Sequence, residues 1–437
     1  MSDGHPHTAS SATNTPSGVL MSGVRRVTAL LLRPLFSQQI PIAEKLASFC
    51  PPAETPEVTS DYPAPQLQSL EEVAARIAQR CTGCGACVRA CPFLQEYGNP
   101  RDIAQQILSG DENASRNAFE CSLCSLCGAT CPEKLEPLQL FLAMRRNAVQ
   151  HGAISLKPFK RLISYESCGN SDAFSLFGLP ENADTVFFPG CTLTGTRSQT
   201  VQAAFEHLRS VYPRIGAVLA CCSKPSHDLG RQEQFNGQFG KLYRQLHSRG
   251  IKRIITACPN CHKVFANYAH DMEAVSIYEV LAQHPPQTAA QDCVDRQDAY
   301  HFPPVAMHDP CPLRTYPAIH DAARALTLRS GADIVEMPSV KSRTLCCGEG
   351  GATAAIRPDF ARQWAEKRSG QANGKTVVTY CAGCTGFLSP FVQTAHVLDL
   401  AFFPVKTLGG RMKPARAPFT YLHRLRVKGR WKRKYFR

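Results

Sequence analysis

The sequence predicts a multidomain α+β protein in which an all-helical, cysteine-rich module precedes two α/β modules. Two observations predict it. Cysteines cluster among helical stretches in the first third of the chain, and from residue 184 short apolar runs alternate with longer amphipathic stretches. With 437 residues, of which 43% are hydrophobic, the chain is long enough for about three ordinary domains.

Residues 1–66 are expected to be an N-terminal extension, disordered or partly helical, that ends in a proline-rich linker beginning near Cys50. One or two short amphipathic helices are predicted within 24–48. The longest apolar stretch there, Val27–Phe36, has about ten residues and is interrupted by charge and proline, whereas a membrane-spanning helix needs about 20. We recognise no signal peptide, so the high cysteine content favours metal-bound thiolates over disulfides.

The helical module is predicted at residues 67–150. The segment 67–80, LQSLEEVAARIAQR, has apolar residues at helical spacing and leads directly to Cys81. Further helical stretches occupy the 29 residues between Cys91 and Cys121 and the segment after Pro132.

Two cysteine runs in this module have the spacing C-x2-C-x2-C-x3-C-P. In such a run the first three thiolates hold one 4Fe-4S cubane and the fourth reaches the neighbouring cluster. Zinc knuckles pair two C-x2-C units and need no fourth cysteine followed by proline, which leaves zinc as the weaker alternative. One cluster is expected on Cys81, Cys84, Cys87 and Cys131, and the other on Cys121, Cys124, Cys127 and Cys91.

The two α/β modules are predicted at 184–285 and 303–403. Short apolar runs such as DTVFFPGC and KRIITAC end in cysteines, and longer helical stretches follow them. This alternation predicts parallel sheets whose carboxyl edges carry the cysteines, which is where open α/β sheets bind ligands. Helix N-termini at that edge favour thiolate.

The cysteines of these modules form an internal repeat, C, then CC, then C-x2-C. In the first copy, 29 residues separate the single cysteine from the pair, and 35 separate the pair from the C-x2-C unit. In the second copy the corresponding counts are 34 and 33. Single structural cysteines would not repeat in this way. The two sets are Cys191, Cys221, Cys222, Cys258 and Cys261, and Cys311, Cys346, Cys347, Cys381 and Cys384.

The motifs FFPGC, CC and ACPNC, followed by HDPC, CCGEGG and YCAGC, resemble the cysteine-rich (CCG) domain, present twice. The module before them resembles the alpha-helical ferredoxin domain of succinate dehydrogenase-type iron-sulfur subunits. The whole order, over about residues 68–403, resembles the catalytic subunit of membrane-linked heterodisulfide reductase. It also resembles the iron-sulfur subunits of glycolate oxidase and anaerobic glycerol-3-phosphate dehydrogenase. The resemblance implies two Rossmann-like α/β CCG domains after the ferredoxin domain.

The resemblance further implies that each five-cysteine set is a nest for a noncubane 4Fe-4S cluster, with one or two such clusters in the chain. Because both nests are complete, it favours an oxidoreductase subunit that reduces a disulfide bound between them. Two alternatives stay open: an electron-transfer subunit without catalysis of its own, serving a flavin-linked dehydrogenase, and a scaffold that binds zinc or one cluster. The sequence departs from the motif at Ser223, where glycine is preferred, while Gly348, Gly350 and Gly351 keep it in the second copy.

Histidines near the nests are candidates for supporting roles. His227 and His308 lie close to motif cysteines in sequence, and His308 with Asp309 is expected to orient a ligand by hydrogen bonding, although packing or capping is the common role of such histidines. The three cysteines outside the motifs, Cys50, Cys168 and Cys293, are expected to be buried or free thiols.

The charge of the chain is concentrated at its end. Residues 404–437 are predicted to form a basic aromatic tail. Together with the three residues before them, they contain twelve Lys and Arg and no acidic residue, so they account for +12 of the net charge of +14. This composition suits an anionic lipid surface or an acidic partner subunit and argues against nucleic acid, with a solvated tail as the alternative. No G-x-G-x-x-G nucleotide motif occurs between a strand and a helix. We therefore expect a cytoplasmic subunit, peripheral to the membrane, whose partner is a membrane cytochrome or flavoprotein.

Overall fold

A computed structural model of the chain describes residues 62, 64, 67–287 and 302–436. The helices predicted within 24–48, and the cysteines Cys50 and Cys293, lie outside the described residues. Among the described helices, none combines the length and the apolar character needed to cross a bilayer.

Seven helices form the first module. The first begins at a capping box, in which the Ser69 hydroxyl accepts from the Glu72 amide at 3.1 Å and the Ser69 amide donates to the Glu72 carboxylate at 2.8 Å. It corresponds to the helix predicted at 67–80. Prolines stand at the first position of three later helices, where their missing amide hydrogen has no cost. The helices are α1 Leu70–Arg80, α2 Ala86–Ala90, α3 Pro92–Tyr97, α4 Pro100–Leu108, α5 Glu112–Asn117, α6 Leu126–Ala129 and α7 Pro137–Gln150.

A connecting helix, α8 Lys160–Asn170, leads to a five-stranded sheet of order β1-β3-β2-β4-β5. Strands β2 to β5 are parallel, and β1 pairs antiparallel with β3. The strands are β1 Leu176–Gly178, β2 Thr185–Phe188, β3 Gly216–Leu219, β4 Arg253–Thr256 and β5 Glu273–Ser276. The helices are α9 Cys191–Thr196, α10 Ser198–Val211, α11 Lys224–Asp228, α12 Gln232–His247, α13 Pro259–Tyr268 and α14 Ile277–Gln283.

The second sheet has four parallel strands in the order β7-β6-β8-β9. Its strands are β6 Val305–His308, β7 Ile334–Glu336, β8 Val377–Thr379 and β9 Thr394–His396. Its helices are α15 Pro317–Arg329, α16 Pro358–Gly370, α17 Ala382–Leu388, α18 Val397–Phe402 and α19 Pro404–Leu408. The two sheets differ at the cysteine pair, since β3 ends two residues before Cys221 whereas β7 ends ten residues before Cys346.

One hydrophobic core joins both α/β units. It includes Phe187 and Ile255 from the first sheet, Met307 and Val378 from the second, and Trp431 from the C-terminal helix. The two units are therefore packed together through buried apolar side chains.

The C-terminal segment is not a free tail. Helix α20, Phe419–Tyr435, packs against the first α/β unit, where Trp431 is fully buried and its indole nitrogen donates to the Gln202 side chain at 2.7 Å. Tyr421 is buried as well. The expectation that the aromatic residues face a lipid or a partner is therefore wrong for these two side chains, because they complete the core of their own chain.

Candidate functional site

The two cysteine runs of the helical module lie in the turns between its helices and in two short helices, with Cys87 in α2 and Cys127 in α6. Burial, and then the charges of the nearby Cys81, Cys131 and Cys84, raise the pKa of the Cys87 thiol to about 11. At the end of the first run, Cys91 lies close enough to Cys121 and Cys124 of the second run for their charges to influence it. The fourth cysteine of each run thus lies beside the other run, which is the arrangement that the crossed assignment requires.

The backbone of both loops adopts the left-handed conformation at equivalent positions. Gly83 and Gly85 have φ of 70° and 72°, and their counterparts Leu123 and Ser125 have φ of 49° and 59°. This turn brings the Leu123 amide to 3.4 Å from the Cys121 sulfur, to which it donates. Amide donors to sulfur of this kind stabilise thiolate and tune cluster potentials.

The first five-cysteine nest gathers at the carboxyl ends of the first sheet. Its thiols are linked in the order Cys191, Cys221, Cys222, Cys261 and Cys258, each in hydrogen-bonding contact with the next. Gly190 allows this approach, because at φ +83° a Cβ atom there would stand 2.9 Å from the Cβ of Cys258 and 3.3 Å from the sulfur of Cys261.

Ser223 keeps the backbone conformation that glycine would take. Its φ is 58°, and its hydroxyl accepts from the Asn170 side chain at 3.2 Å and donates to the Gln238 side chain at 3.0 Å. Asn170 also accepts from the Cys221 amide at 2.9 Å. The serine therefore preserves the turn, and its hydrogen bonds hold the cysteine pair.

The second nest repeats the same order of contacts. Cys346 contacts Cys311 and Cys347, Cys347 contacts Cys384, and Cys384 contacts Cys381. The Gly348 amide donates to the sulfur of Cys346 at 3.3 Å, like the amide of Leu123 in the helical module.

His308 faces the second nest, and Arg368 orients it. The Arg368 Nε donates to His308 Nδ1 at 2.9 Å, and burial lowers the pKa of the imidazole, so Nε2 carries the proton of the neutral ring. The imidazole groups with Cys347 and Cys384 within 4.8 Å, and Nε2 is buried without a hydrogen-bond partner among the described residues. Asp309 does not contribute as expected. Its carboxylate instead accepts from Arg324 at 2.9 and 3.0 Å and from the Lys341 amide at 2.6 Å, which fixes the loop before the cysteine pair.

His227 lies away from the thiols of the first nest. Its Nδ1 is 2.8 Å from an Asp228 carboxylate oxygen and its Nε2 is 2.8 Å from the Tyr268 hydroxyl. Cys168 is fully buried beside Tyr421 and is disulfide-bonded, so it is not a free thiol.

The chemistry of the nests fits a metal cluster. The pKa values of Cys191, Cys261 and Cys384 are raised well above the usual value of a thiol. Contact with a neighbouring cysteine is the largest cause, and burial adds to it. Five sulfur atoms at such a site become stable thiolates only when a cation compensates their charge, as iron does in clusters held by cysteine.

The helical module and the second nest are in direct contact. The thiol of Cys124 is in hydrogen-bonding contact with Cys346, and Arg314 Nε donates to the Cys124 carbonyl at 2.7 Å. Gly351, at φ +64°, approaches the Cys121 carbonyl so closely that a Cβ atom would lie 2.4 Å from it. The second nest is therefore the one that abuts the helical module.

Arg145 joins all three units from the middle of α7. Its fully buried guanidinium donates to the carbonyls of Ala118 and Cys121 at 2.9 and 2.7 Å. It also donates to the Asp228 carbonyl at 2.6 Å and the Gly351 carbonyl at 2.9 Å.

The two nests lie side by side. The Tyr278 hydroxyl lies 3.2 Å from the Ala257 carbonyl and 2.9 Å from the Tyr380 carbonyl, and these residues immediately precede the two C-x2-C pairs. The charges of Cys258 and Cys381 each influence Tyr278, which places both pairs next to its ring. A single side chain thus aligns the two repeats.

Glu349 occupies the junction between the nests. Its carboxylate groups with the sulfurs of Cys381 and Cys384 within 4.8 Å. Burial, and then the charges of Cys347 and of Cys191 in the other nest, raise its pKa to about 8. The Glu349 side chain therefore contacts the second nest and is close enough to the first nest for the charge of Cys191 to affect its pKa.

Sequence reasoning missed Arg145, Arg314, Glu349 and Arg368. Two signals were available: Glu349 stands inside the CCGEGG motif, and Arg145 lies on the same helical face as the apolar Phe141 and Ala148. Arg314 stands three residues after Cys311, and Arg368 stands thirteen residues before Cys381, but neither belongs to a recognised motif.

Comparison with known proteins agrees with this geometry. Residues 80–136 match the 4Fe-4S dicluster domain, and residues 185–266 and 305–389 each match the cysteine-rich domain. The chain therefore carries a 4Fe-4S dicluster domain ahead of two cysteine-rich (CCG) domains, and the resemblance noted from the motifs is confirmed.

Several curated proteins are similar to this CCG protein over part of its length. One subunit of the dihydromethanophenazine:CoB–CoM heterodisulfide reductase of Methanosarcina mazei is 28% identical over 44% of this chain and 49% of its own length. One subunit of the fumarate reductase (CoM/CoB) of Methanothermobacter marburgensis is 28% identical over 45% of this chain and 40% of its own. The EtfAB:quinone oxidoreductase of Syntrophomonas wolfei is 21% identical over 50% of this chain and 33% of its own length. The chain spans half or less of the length of these relatives.

Proposed function

We propose that this CCG protein is the iron-sulfur electron-transfer subunit of an oxidoreductase and that its paired nests reduce a disulfide. The observation that carries the proposal is the presence of two complete five-cysteine nests side by side, one of them in contact with the helical module through Cys124 and Cys346. The similarity to a heterodisulfide reductase of Methanosarcina mazei, over 44% of the chain, supports it.

The residues that would hold the clusters follow from the contacts. In the helical module, one set is Cys81, Cys84, Cys87 and Cys131, and the other is Cys121, Cys124, Cys127 and Cys91. Each nest would hold one noncubane cluster through its five thiolates. Bound there, iron-sulfur clusters supply one-electron transfer.

The four cysteine sets are arranged in a row, each next to the following one. Cys127 lies near Cys87 of the first set, Cys124 touches Cys346 of the second nest, and Cys381 lies near Cys258 of the first nest. This order makes the second nest the neighbour of the helical module and the first nest the far end. Arg145 and Arg314 hold the module in place, and the imidazole of His308 lies next to Cys347.

A second candidate function is electron relay without chemistry on a disulfide. Glu349 favours it, because its side chain occupies the junction at which a disulfide would have to bind. Under the relay function the nests pass electrons between a flavin-linked dehydrogenase and its acceptor.

Spectroscopy of the reduced protein separates the two functions. The anaerobically prepared, cluster-loaded protein is reduced, 2-hydroxyethyl disulfide is added, and electron paramagnetic resonance spectra are recorded with and without the Glu349→Ala substitution, which removes the carboxyl group from the junction. Disulfide reduction predicts a new or shifted signal and release of thiol, both enhanced in the variant because the junction is no longer occupied. Unchanged signals and no thiol release in either protein contradict disulfide reduction and favour relay.

We further propose that the exposed side of α20 docks this subunit on an anionic membrane surface that holds its redox partner. Phe419, Leu422 and Leu425 are 58%, 39% and 40% exposed, and the basic residues Arg426 and Arg430 continue the same face. The helix carries no acidic residue. Its opposite face reaches the first nest, since the charge of Cys191 influences Tyr421.

Vesicle flotation tests this docking. The protein is expected to float with vesicles containing about 30% phosphatidylglycerol, in a salt-sensitive manner. Reversing Arg426 and Arg430 to glutamate should abolish flotation, whereas reversing the exposed Arg329 on α15 should leave it unchanged. No flotation of the wild-type chain, or equal flotation of both variants, contradicts the proposal and leaves an acidic protein as the partner to test.

A further inference from the structure

A cavity of about 330 Å³ lies between the helical module and the first CCG domain. It is separate from the two pockets that the cysteines of the helical module line. Its volume is within the range of small-molecule binding sites.

The two walls of this cavity differ in character. The helical module contributes a mostly apolar wall that also includes Gln68, Glu136 and Gln139, and the CCG domain, together with the end of α7, contributes a mostly polar wall. The apolar side chains are Leu67, Val73, Leu123, Leu138, Leu142 and Ala143. The polar wall includes Arg146, Lys224, His227, Asp228, Lys263 and Tyr268.

The polar wall has more positive than negative charge. Lys224 is paired with Asp228, whose carboxylate also contacts His227. Lys263 has no carboxylate within ion-pair distance among the described residues, and Arg146 Nε is buried without a hydrogen-bond partner there.

Two other groups complete the surroundings of these cations. The ring of Tyr268 bonds His227 through its hydroxyl at 2.8 Å and contacts the Arg146 guanidinium, and the carboxylate of Glu136 stands at the exposed rim. Neither neutralises both Lys263 and Arg146. A buried cationic group without a partner is costly, so an anion bound between them would stabilise the site.

We propose that this cavity binds a small organic anion, with a carboxylate or sulfonate group between Lys263 and Arg146 and an apolar body against the leucine side chains. A simple inorganic anion would leave the apolar wall in contact with water, and a neutral hydrocarbon would leave the two cations unpaired. The site depends on neither function proposed above, because it contains no motif cysteine. Leu123 and Leu138 also line the pocket of the second cysteine set, so the bound anion lies one layer of side chains from that set.

Calorimetric titration of the full-length, cluster-loaded protein tests the site with four probes. Naphthalene-2-sulfonate and 2-naphthoate carry the two candidate anionic groups, naphthalene-2-sulfonamide is the neutral counterpart, and inorganic phosphate lacks the apolar body. We expect one saturable site per chain for at least one of the naphthalene anions. The affinities for the sulfonamide and for phosphate should be lower than the affinity for that anion by roughly tenfold or more.

Substitutions locate the binding. Lys263→Met should weaken binding of the anion by roughly tenfold or more, while Lys241→Met, which removes an exposed lysine from α12, should change it by less than about twofold. Leu142→Glu, which adds a carboxylate to the apolar wall, is the second variant if Lys263→Met does not fold, and it should abolish binding. No saturable binding of either anion, equal affinity for the sulfonamide, or binding that both cavity variants retain overturns the proposal.

Discussion

Replacing Arg145 with methionine would remove a side chain whose hydrogen bonds join the helical module to both CCG domains. Its guanidinium donates four hydrogen bonds, at 2.6 to 2.9 Å, to carbonyls of the helical module and of both CCG domains. It also lies 4.9 Å from the centre of the Phe119 ring. Hydrogen bonds to charged groups contribute about 1.5–3 kcal/mol each, but the desolvation of the guanidinium offsets much of this sum.

The net loss is set by the four carbonyls left without this donor. A buried acceptor left unsatisfied costs about 1–3 kcal/mol, and the desolvation that the guanidinium no longer needs offsets part of the sum, so we expect the Arg145→Met variant to lose about 4 kcal/mol of unfolding free energy. This is a large part of the roughly 5–15 kcal/mol typical of a folded domain. Urea denaturation of the cluster-loaded protein, followed by circular dichroism, measures it, with the exposed Arg329→Met as the matched control. A loss below about 1 kcal/mol would refute the role of Arg145 as the link between the units.

Three further predictions concern the core, the pH dependence and the second nest. Trp431→Ala should lower the unfolding free energy by about 3–5 kcal/mol, and Phe419→Ala on the exposed side of the same helix by less than about 0.5 kcal/mol, as measured by denaturation. Burial raises the pKa of Glu166 in the folded protein above its ordinary value of 4.5, so its contribution to stability is complete below the unfolded pKa and is lost as the pH rises through the folded one. As the pH rises from 4.5, the Glu166→Gln variant should therefore lose less stability than the wild type, and parallel denaturation curves would contradict this. Arg368→Met should change the spectrum of the second nest without loss of iron, because His308 loses the donor that fixes its tautomer; an identical spectrum would show that the tautomer does not matter.

The sequence predicted the parts of this fold whose signal is local. The apolar runs ending at Cys191 and Cys258 are β2 and β4, and the periodicity of 67–80 is α1. Cysteine spacing likewise grouped the residues that the structure brings together, because ligand spacing within a motif is a short-range property. Strands as short as β1 and β7 were missed, since three residues carry too little pattern.

Long-range contacts could not be predicted. From composition, the aromatic residues of the C-terminal segment were predicted to contact a partner or a membrane. In the structure, Trp431 instead packs on Phe205, more than two hundred residues earlier, with ring centres 4.5 Å apart. Equally, no local pattern joins Arg145 to the Gly351 carbonyl or Arg314 to the Cys124 carbonyl. These contacts decide which nest meets the helical module, and they depend on how the three units pack.

The most direct test of the account is the iron and acid-labile sulfide content of the anaerobically purified chain. Four occupied cysteine sets predict about sixteen iron atoms and a similar amount of sulfide per chain. About eight iron atoms, with zinc in the remaining sites, would contradict the claim that both five-cysteine nests hold 4Fe-4S clusters.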